Sequence, residues 1–400
     1  MNRKHLHVIN ELPHIYELED MMEFCGRYQK LYIYGYAFNQ EMLLKYFDMC
    51  GIRIDGYVAT WAPKETPCFC YREMPVKLME DVIQEKGAAI IVALSDRYFN
   101  GIIPKFREKG FQDYFIMSEF NKRAIANQVR PREREEMAFE ISLADHCNMS
   151  CQMCDHYSQL SEPHFLDFVQ FEKDIHRLGE LYDHDLGYIA LLGGEPLLNH
   201  DIIPIIKAVR REFPDCELII LTNGTLLLKW EDMPEGNLWQ ACRDYNVHIT
   251  VTIYPIHLDY EALERKAAEY GVSLKMSSDI HAADPTKIVK ISDKHTLDLG
   301  KGVDKFYCVN CLYYNKFNVL KDGRIYMCPV AAHIDIFNQS FQQSLELLEE
   351  DSIDIYKIDS WKEIAAFSSN YVPFCSYCDL KHWGHASQWK PSTKQINEYV

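Results

Sequence analysis

A chain of 400 residues is too long for one ordinary hydrophobic core, so two or three domains are expected. Its 48% hydrophobic and 25% charged residues suit a soluble globular protein, while a formal net charge of −17 argues against broad binding to nucleic acid or anionic membrane, both of which need a positive surface. No apolar run is long enough to span a bilayer, and Met1-Asn2-Arg3-Lys4-His5-Leu6-His7 leads into no signal-peptide core. A cytoplasmic location is therefore expected, where 14 cysteines point to metal rather than to a disulfide framework.

Residues 1–129 alternate strands and helices. Leu31–Gly35 reads as a strand entering a glycine turn, Glu41–Cys50 as a helix and Ile54–Ala59 as a strand. Val76–Glu85 reads as a helix, Ala88–Leu94 as a strand, Tyr98–Lys109 as a helix and Asp113–Met117 as a strand. This order predicts a Rossmann-like parallel sheet. The turn Gly35-Tyr36-Ala37-Phe38-Asn39-Gln40 lacks the second and third glycines of GxGxxG, and bulky residues there block the backbone's approach to a pyrophosphate. A scaffold or docking role is favoured over a nucleotide site. The charge run Arg130-Pro131-Arg132-Glu133-Arg134-Glu135-Glu136 reads as a solvated linker.

From Ala138 the alternation restarts, giving a second domain over residues 138–300. Strands are read at Phe139–Leu143, Tyr188–Leu192, Glu217–Leu221, Val247–Ile253 and Val272–Met276. Helices are read at Phe168–Tyr182, His200–Phe213, Leu238–Tyr245 and Tyr260–Tyr270. Repeated βα units predict a full or partial β/α barrel, with functional loops after the strands. Residues 306–400 lose this rhythm. They carry an Asp322-Gly323 hairpin between Phe317–Lys321 and Arg324–Met327, and most of the remaining clustered cysteines.

Cys147, Cys151 and Cys154, spaced C-x3-C-x2-C, fall just past the first barrel strand. A [4Fe–4S] cube takes one cysteine per iron, so three leave one iron open to a small chelating molecule. Gly193-Gly194-Glu195-Pro196, Thr222-Asn223-Gly224 and Thr250-Val251-Thr252-Ile253-Tyr254 each follow or end a predicted strand, so all face the same mouth. Gly193 and Gly194 permit close backbone approach, and Glu195 supplies a carboxylate.

With these motifs the chain resembles the radical S-adenosylmethionine (radical SAM) superfamily. The resemblance implies that the open iron chelates the amino and carboxylate groups of S-adenosylmethionine. The reduced cluster then splits the sulfonium to methionine and a 5′-deoxyadenosyl radical, which takes a hydrogen atom from the substrate. It also implies that Gly193, Gly194 and Glu195 hold the methionine ammonium, that Asn223 and Thr252 meet the ribose or carboxylate, and that Met153 packs on adenine, where the family often has an aromatic residue.

A second set, Cys311, Cys328, Cys375 and Cys378, could by spacing hold zinc or a full [4Fe–4S] cube. It resembles the Twitch domain, the shortened relative of SPASM, which carries an auxiliary [4Fe–4S] cluster; Cys308 is then a spare or alternative ligand. Cys25, Cys50, Cys68, Cys70, Cys216 and Cys242 read as buried or incidental, and His382-Trp383-Gly384-His385 as surface or packing. Asp155-His156 adjoins the cluster loop and reads either as a contact to it or to the substrate, or as a helix start or a support for the loop.

The fold class expected is therefore α/β: a partial (β/α) barrel of radical SAM type, an N-terminal Rossmann-like domain and a small cysteine-rich Twitch/SPASM-like tail. The whole resembles radical SAM proteins found with bacterial surface-polysaccharide genes. That implies oxidation or epimerisation of a carbohydrate or sugar conjugate, with electrons from a reductant such as flavodoxin or ferredoxin. A peptide-modifying enzyme and a zinc-stabilised binding or scaffold protein are the alternatives.

Overall fold

The computed structural model describes residues 18–34, 39–60, 70–71, 74–94, 99–117, 122, 125, 129, 133–231, 233–277, 291–300, 311, 317–368, 372–379 and 384–400. The chain divides into two compact units, Met1–Pro131 and Arg132–Val400. Among the described residues no helix is long and apolar enough to cross a membrane.

In the first unit the elements are α1 (Leu18–Gly26), β1 (Lys30–Tyr34), α2 (Asn39–Met49), β2 (Gly56–Ala59), β3 (Cys70–Tyr71), β4 (Met74–Leu78), α3 (Met79–Ile83), β5 (Ala88–Val92), α4 (Phe99–Glu108) and β6 (Tyr114–Ile116). The sheet order is β3-β4-β2-β1-β5-β6, parallel except for β3. The chain works outward from β1 to β4 and then returns to the other side of β1, which is the doubly wound pattern expected. Strand β5, Ala-Ala-Ile-Ile-Val, is buried throughout, as a strand covered on both faces must be.

One element differs from the sequence reading. Val76–Glu85 is not one helix: Met74–Leu78 forms β4, paired in parallel with β2 through Tyr57 and Val76, and only Met79–Ile83 is helical. The β-branched, buried Val76 fits a half-buried strand, and pairing with β2 overrides the weak helical period. The turn residues Gly35 to Phe38 lie outside the described residues.

The second unit comprises β7 (Ala138–Ser142), α5 (Phe168–Leu181), β8 (Tyr188–Leu192), α6 (Ile202–Glu212), β9 (Glu217–Thr222), α7 (Leu238–Asp244), β10 (Val247–Thr252), α8 (Tyr260–Tyr270), β11 (Leu274–Ser277), β12 (Ile291–Lys294), β13 (Asn318–Lys321), β14 (Arg324–Tyr326), α9 (Pro329–Ala332), α10 (Ile334–Phe341), β15 (Ser352–Asp354), α11 (Trp361–Ser368) and β16 (Gly384–Gln388). Strands β7 to β11 lie side by side in chain order, all parallel, and β13 adds in parallel to the free side of β7. This is an open, partial β/α barrel. Strands β14 and β15 extend the same sheet antiparallel, so the cysteine-rich tail is built onto the barrel's own edge within one compact unit.

Period two decides which side chains meet the helices. Phe139, Ile141, Ile189, Leu191, Leu218, Ile220, Ile249 and Val251 pack into the sheet–helix core with Ile175, Leu178, Ile205, Ile206 and Val209. The helices start at side-chain caps: Asp167 accepts from Gln170 N, Asn237 from Gln240 N and Asp259 from Ala262 N. The alternate strand positions, including Glu140, Ala190, Leu192, Ile219 and Leu221, face the other way, toward the barrel interior. All the loops that follow β7, β8, β9 and β10 therefore leave the sheet at one end.

Candidate active site

The cysteine loop leaves β7 and is tied down at once. Leu143 N donates to Leu192 O at 2.8 Å, and Ala144 bridges to Phe165. Met153 (φ 61°) and Tyr157 (φ 53°) are both left-handed, at about 1 kcal/mol or more each for a residue with a Cβ, and they flank Cys154 on its two sides. Tyr157 N closes the turn on Cys154 O at 3.1 Å. Met153 is buried and lines the cavity enclosed by the loop.

The Gly193-Gly194-Glu195-Pro196 turn is the other half of this construction. Gly194 N donates to Ala144 O at 2.7 Å and Glu195 N to His146 O at 3.1 Å. A Cβ on Gly194 would stand 2.0 Å from His146 O, and one on Gly193 (φ +132°) 2.5 Å from Ala144 O. The sequence reading has these glycines making room for a ligand. Both do line the cavity, but the close approach they permit is to the backbone of the cysteine loop itself.

Glu195 is fully buried and lies behind the cavity wall. Its carboxylate accepts from Thr222 Oγ1 at 2.5 Å, Asn223 N at 2.9 Å and Leu197 N at 3.2 Å, bracing the end of β9 against the β8 turn. These three donors leave the carboxylate with acceptor capacity to spare. Burial pushes its carboxyl up to about 7, against the pull of those three donors. Asn223, held by this brace, sends Nδ2 to Asn148 Oδ1 at 2.8 Å and toward Cys147 Sγ at 3.8 Å. Thr252, at the end of β10, also lines the cavity.

Cys147, Cys151 and Cys154 border one cavity of about 260 Å³ with Gly193, Gly194 and Asn223. Burial pushes the Cys147 thiol up to about 12 and the Cys154 thiol to about 11, and each is raised further by its neighbouring sulfurs. A bound cationic centre would deprotonate such thiols as its ligands. Among the described residues no three His, Cys, Asp or Glu side chains converge as they would on a single metal ion. A four-iron cube takes each thiolate at a different iron.

Residues 141–237 match the family model described as "Radical SAM superfamily". Those residues are a radical SAM domain. That superfamily holds a [4Fe–4S] cluster with S-adenosylmethionine through cysteines, and Cys147, Cys151 and Cys154 lie within the matched residues. Among curated proteins, a GTP 3′,8-cyclase of Paenarthrobacter nicotinovorans is 33% identical over 101 residues, 24% of this chain and 27% of that one. A GTP 3′,8-cyclase of Campylobacter jejuni subsp. doylei is 23% identical over 267 residues, 62% of this chain and 77% of that one. The chain spans only about a quarter to a third of the length of the first curated relatives it matches. Among solved structures, BtrN in complex with AdoMet and 2-DOIA covers 67% of this chain and 100% of its own, with 17% identity and a TM-score of 0.40.

The radical SAM loop is not alone. Cys311, Cys328, Cys375 and Cys378 lie close enough that the charge on any of the other three raises Cys378, and Cys311 and Cys375 raise Cys328. Cys328 caps α9, its sulfur accepting from Ala331 N at 3.5 Å, and Cys375 and Cys378 sit on the 3-10 turn Pro373–Tyr377 and its end. Tyr157 lies within electrostatic reach of Cys378 and Cys328, and Tyr399 of Cys154, with their rings 5.6 Å apart. Cys308, residues 380–383 and Cys68 fall outside the described residues. Cys25, Cys216 and Cys242 are buried, and Cys50 is exposed.

Sequence reasoning missed several cavity residues. Glu140 projects from the middle of β7, and His295 and Trp389 line the cavity together with Tyr254, the last residue of the strand-end motif already read at the mouth. A lone carboxylate in the strand Ala-Phe-Glu-Ile-Ser was a usable signal, since period two sends it opposite Phe139 and Ile141. Trp389 carried none. It arrives because residues 389–392 run antiparallel to the cysteine loop, with Gln152 N on Lys390 O at 3.0 Å, Ser392 N on Ser150 O at 2.9 Å and a Cys151–Pro391 bridge. Its ring stands edge-on to Tyr254 at 5.7 Å. Asp155 and His156 also line the cavity, paired Oδ1 to Nδ1 at 2.9 Å.

Proposed function

We propose that this protein is a cytoplasmic radical SAM enzyme that takes a hydrogen atom from a carbohydrate or sugar conjugate, in an oxidation or an epimerisation. The observation that carries the reading is the joint construction of the C-x3-C-x2-C loop and the GGEP turn around one cavity at the mouth of the parallel sheet. When bound, the cluster and S-adenosylmethionine supply a 5′-deoxyadenosyl radical at the cost of one electron, here assigned to a small reductant such as flavodoxin or ferredoxin.

The chain's own residues orient and exclude. Cys147, Cys151 and Cys154 hold the cluster; Gly193, Gly194, Asn223 and Thr252 bound the space for the methionine and ribose; Met153 bounds that for adenine. Glu195 fixes the geometry of this wall from behind. Tyr254 and Trp389 shut out water from above the loop, which protects a reactive intermediate from stray hydrogen donors.

Residues 306–400 act in this reading as a Twitch/SPASM-like module with an auxiliary [4Fe–4S] cluster on Cys311, Cys328, Cys375 and Cys378. The Rossmann-like region, residues 1–129, serves in this reading as a scaffold or docking domain. The test is anaerobic reconstitution: brown protein with iron for two cubes, little zinc, and release of 5′-deoxyadenosine with dithionite and S-adenosylmethionine. Colourless, zinc-loaded protein overturns it.

The name of the curated relatives offers a second reading, a guanine nucleotide substrate. No lysine or arginine is among the described residues lining the cavity, which counts against a triphosphate there.

A further inference from the structure

The cavity wall away from the GGEP turn carries polar groups that the cofactor reading does not use. His156, Ser158 and Gln159 follow the third cysteine and are 8%, 2% and 5% exposed. All three line the cavity, yet His156 Nε2, Ser158 Oγ and Gln159 Oε1 have no hydrogen-bond partner in the structure. Trp389 Nε1, on the same cavity, is a fourth such atom. Buried polar atoms are nearly always satisfied, and leaving several without partners on one small cavity marks a place where something else supplies them. Donors and acceptors are mixed: a hydroxyl and an amide oxygen, an imidazole nitrogen and an indole N–H.

Between them stands Glu140. Its carboxyl lines the same cavity and makes no hydrogen bond or ion pair among the described residues. The groups facing it are Asp155 and His156, already paired with each other, and Tyr188 on the adjoining strand. Burial pushes its pKa up to about 7, against the pull of the neighbouring His156 and with the push of Asp155. A carboxyl in this setting gains most from a ligand that brings its own positive charge.

We propose that Glu140, His156, Ser158, Gln159 and Trp389 form the substrate-recognition wall, and that the substrate is a hydroxyl-rich molecule bearing a protonated amine, with Glu140 taking the ammonium. This rests on the reading of the cavity as a radical SAM site and narrows its carbohydrate substrate to the amino-substituted, non-phosphorylated class. The hydroxyl groups satisfy the neutral atoms, and the ammonium satisfies the carboxylate.

The test uses reconstituted holoenzyme with S-adenosylmethionine bound, titrated by calorimetry with glucosamine, glucose and GTP as probes. Glucosamine should bind about tenfold or more tighter than glucose, the worth of a charge-assisted bond to a buried carboxylate, and GTP should not compete. Glu140→Gln, nearly isosteric, should erase the glucosamine preference while leaving S-adenosylmethionine affinity at the wild-type value. Ser158→Ala should weaken both sugars alike. Tight GTP binding, equal affinity for the two sugars, or a Glu140→Gln defect confined to S-adenosylmethionine would each overturn the proposal; the last would assign Glu140 to the sulfonium. Wild-type release of 5′-deoxyadenosine separates the two readings. If it occurs and the amine preference is absent, only the recognition wall falls; if it is absent, the radical SAM activity itself falls.

Discussion

Replacing Gly194 with alanine should disable the first cluster site without touching a cysteine. The added Cβ would lie 2.0 Å from His146 O, 2.4 Å from His146 C and 3.0 Å from Cys147 N. All three are backbone atoms, so no side-chain rotation relieves the contact, and the β8 turn must part from the cysteine loop. Overpacking of this kind costs about 1–3 kcal/mol. Separation also breaks Gly194 N to Ala144 O and Glu195 N to His146 O, at about 1 kcal/mol each. A loss of about 3–5 kcal/mol, or an equivalent displacement of the loop, is expected. The assay is urea unfolding of the apoprotein, with iron content after anaerobic reconstitution. G194A should unfold at lower urea and bind about half the wild-type iron, keeping the share of the second site. Gly271 is the control. It caps α8 with φ +69° and nothing within 4 Å, so G271A should cost only about 1 kcal/mol and leave iron unchanged. Wild-type iron and an unshifted midpoint for G194A would refute the claim that these glycines exist to let two backbones meet.

Cys151→Ala and Cys375→Ala should each remove about one cube of iron, but only the first should abolish 5′-deoxyadenosine release; a matched loss of cleavage in both would dismiss the division between the sites. Glu140 makes stability depend on pH. With its folded pKa raised from 4.5 to about 7, the native state holds a proton that the unfolded chain gives up. Its contribution is therefore complete below about pH 4.5 and lost as pH rises through 7, on the order of 1–3 kcal/mol. Apoprotein E140Q should lack this component in urea melts taken across that range, and superimposable profiles would contradict it. Arg210 donates to the carbonyls of Tyr245, Phe213, Pro214, Cys216 and Asn246, tying α6 to the starts of β9 and β10. R210M should destabilise the barrel by about 2–4 kcal/mol with the iron content per folded molecule unchanged; chemical denaturation checks this, and a shift under 0.5 kcal/mol would be too small for the role.

The parts of the fold legible in the sequence are those set by local chemistry. Helix α8 is bounded where the sequence places it because Asp259 caps one end and Gly271 the other. Strand β8 needs only its apolar run and the Gly193 turn. The cysteine loop declares itself by spacing. What escaped is what depends on distant partners. Met74–Leu78 becomes a strand because β2 is there to pair with it. Glu195 turns inward because Thr222 and Asn223, nearly thirty residues on, offer donors. The orphaned atoms of His156, Ser158 and Gln159 are visible only once the cavity has a far side, and that side is furnished by residues near 390.

That last pairing also sets an order of events. Cys151 leaves the ribosome about 240 residues before Pro391, the partner that runs alongside it. During that interval the barrel strands β7 to β11 can already associate, since their contacts are between chain neighbours. The three thiols are then presented on a formed scaffold with one flank still uncovered, a window in which a delivery protein can hand over an intact cluster. Once residues 389–392 lie down, that flank of the cysteine loop is covered, so a segment synthesised late completes the wall begun by the first strand of the barrel.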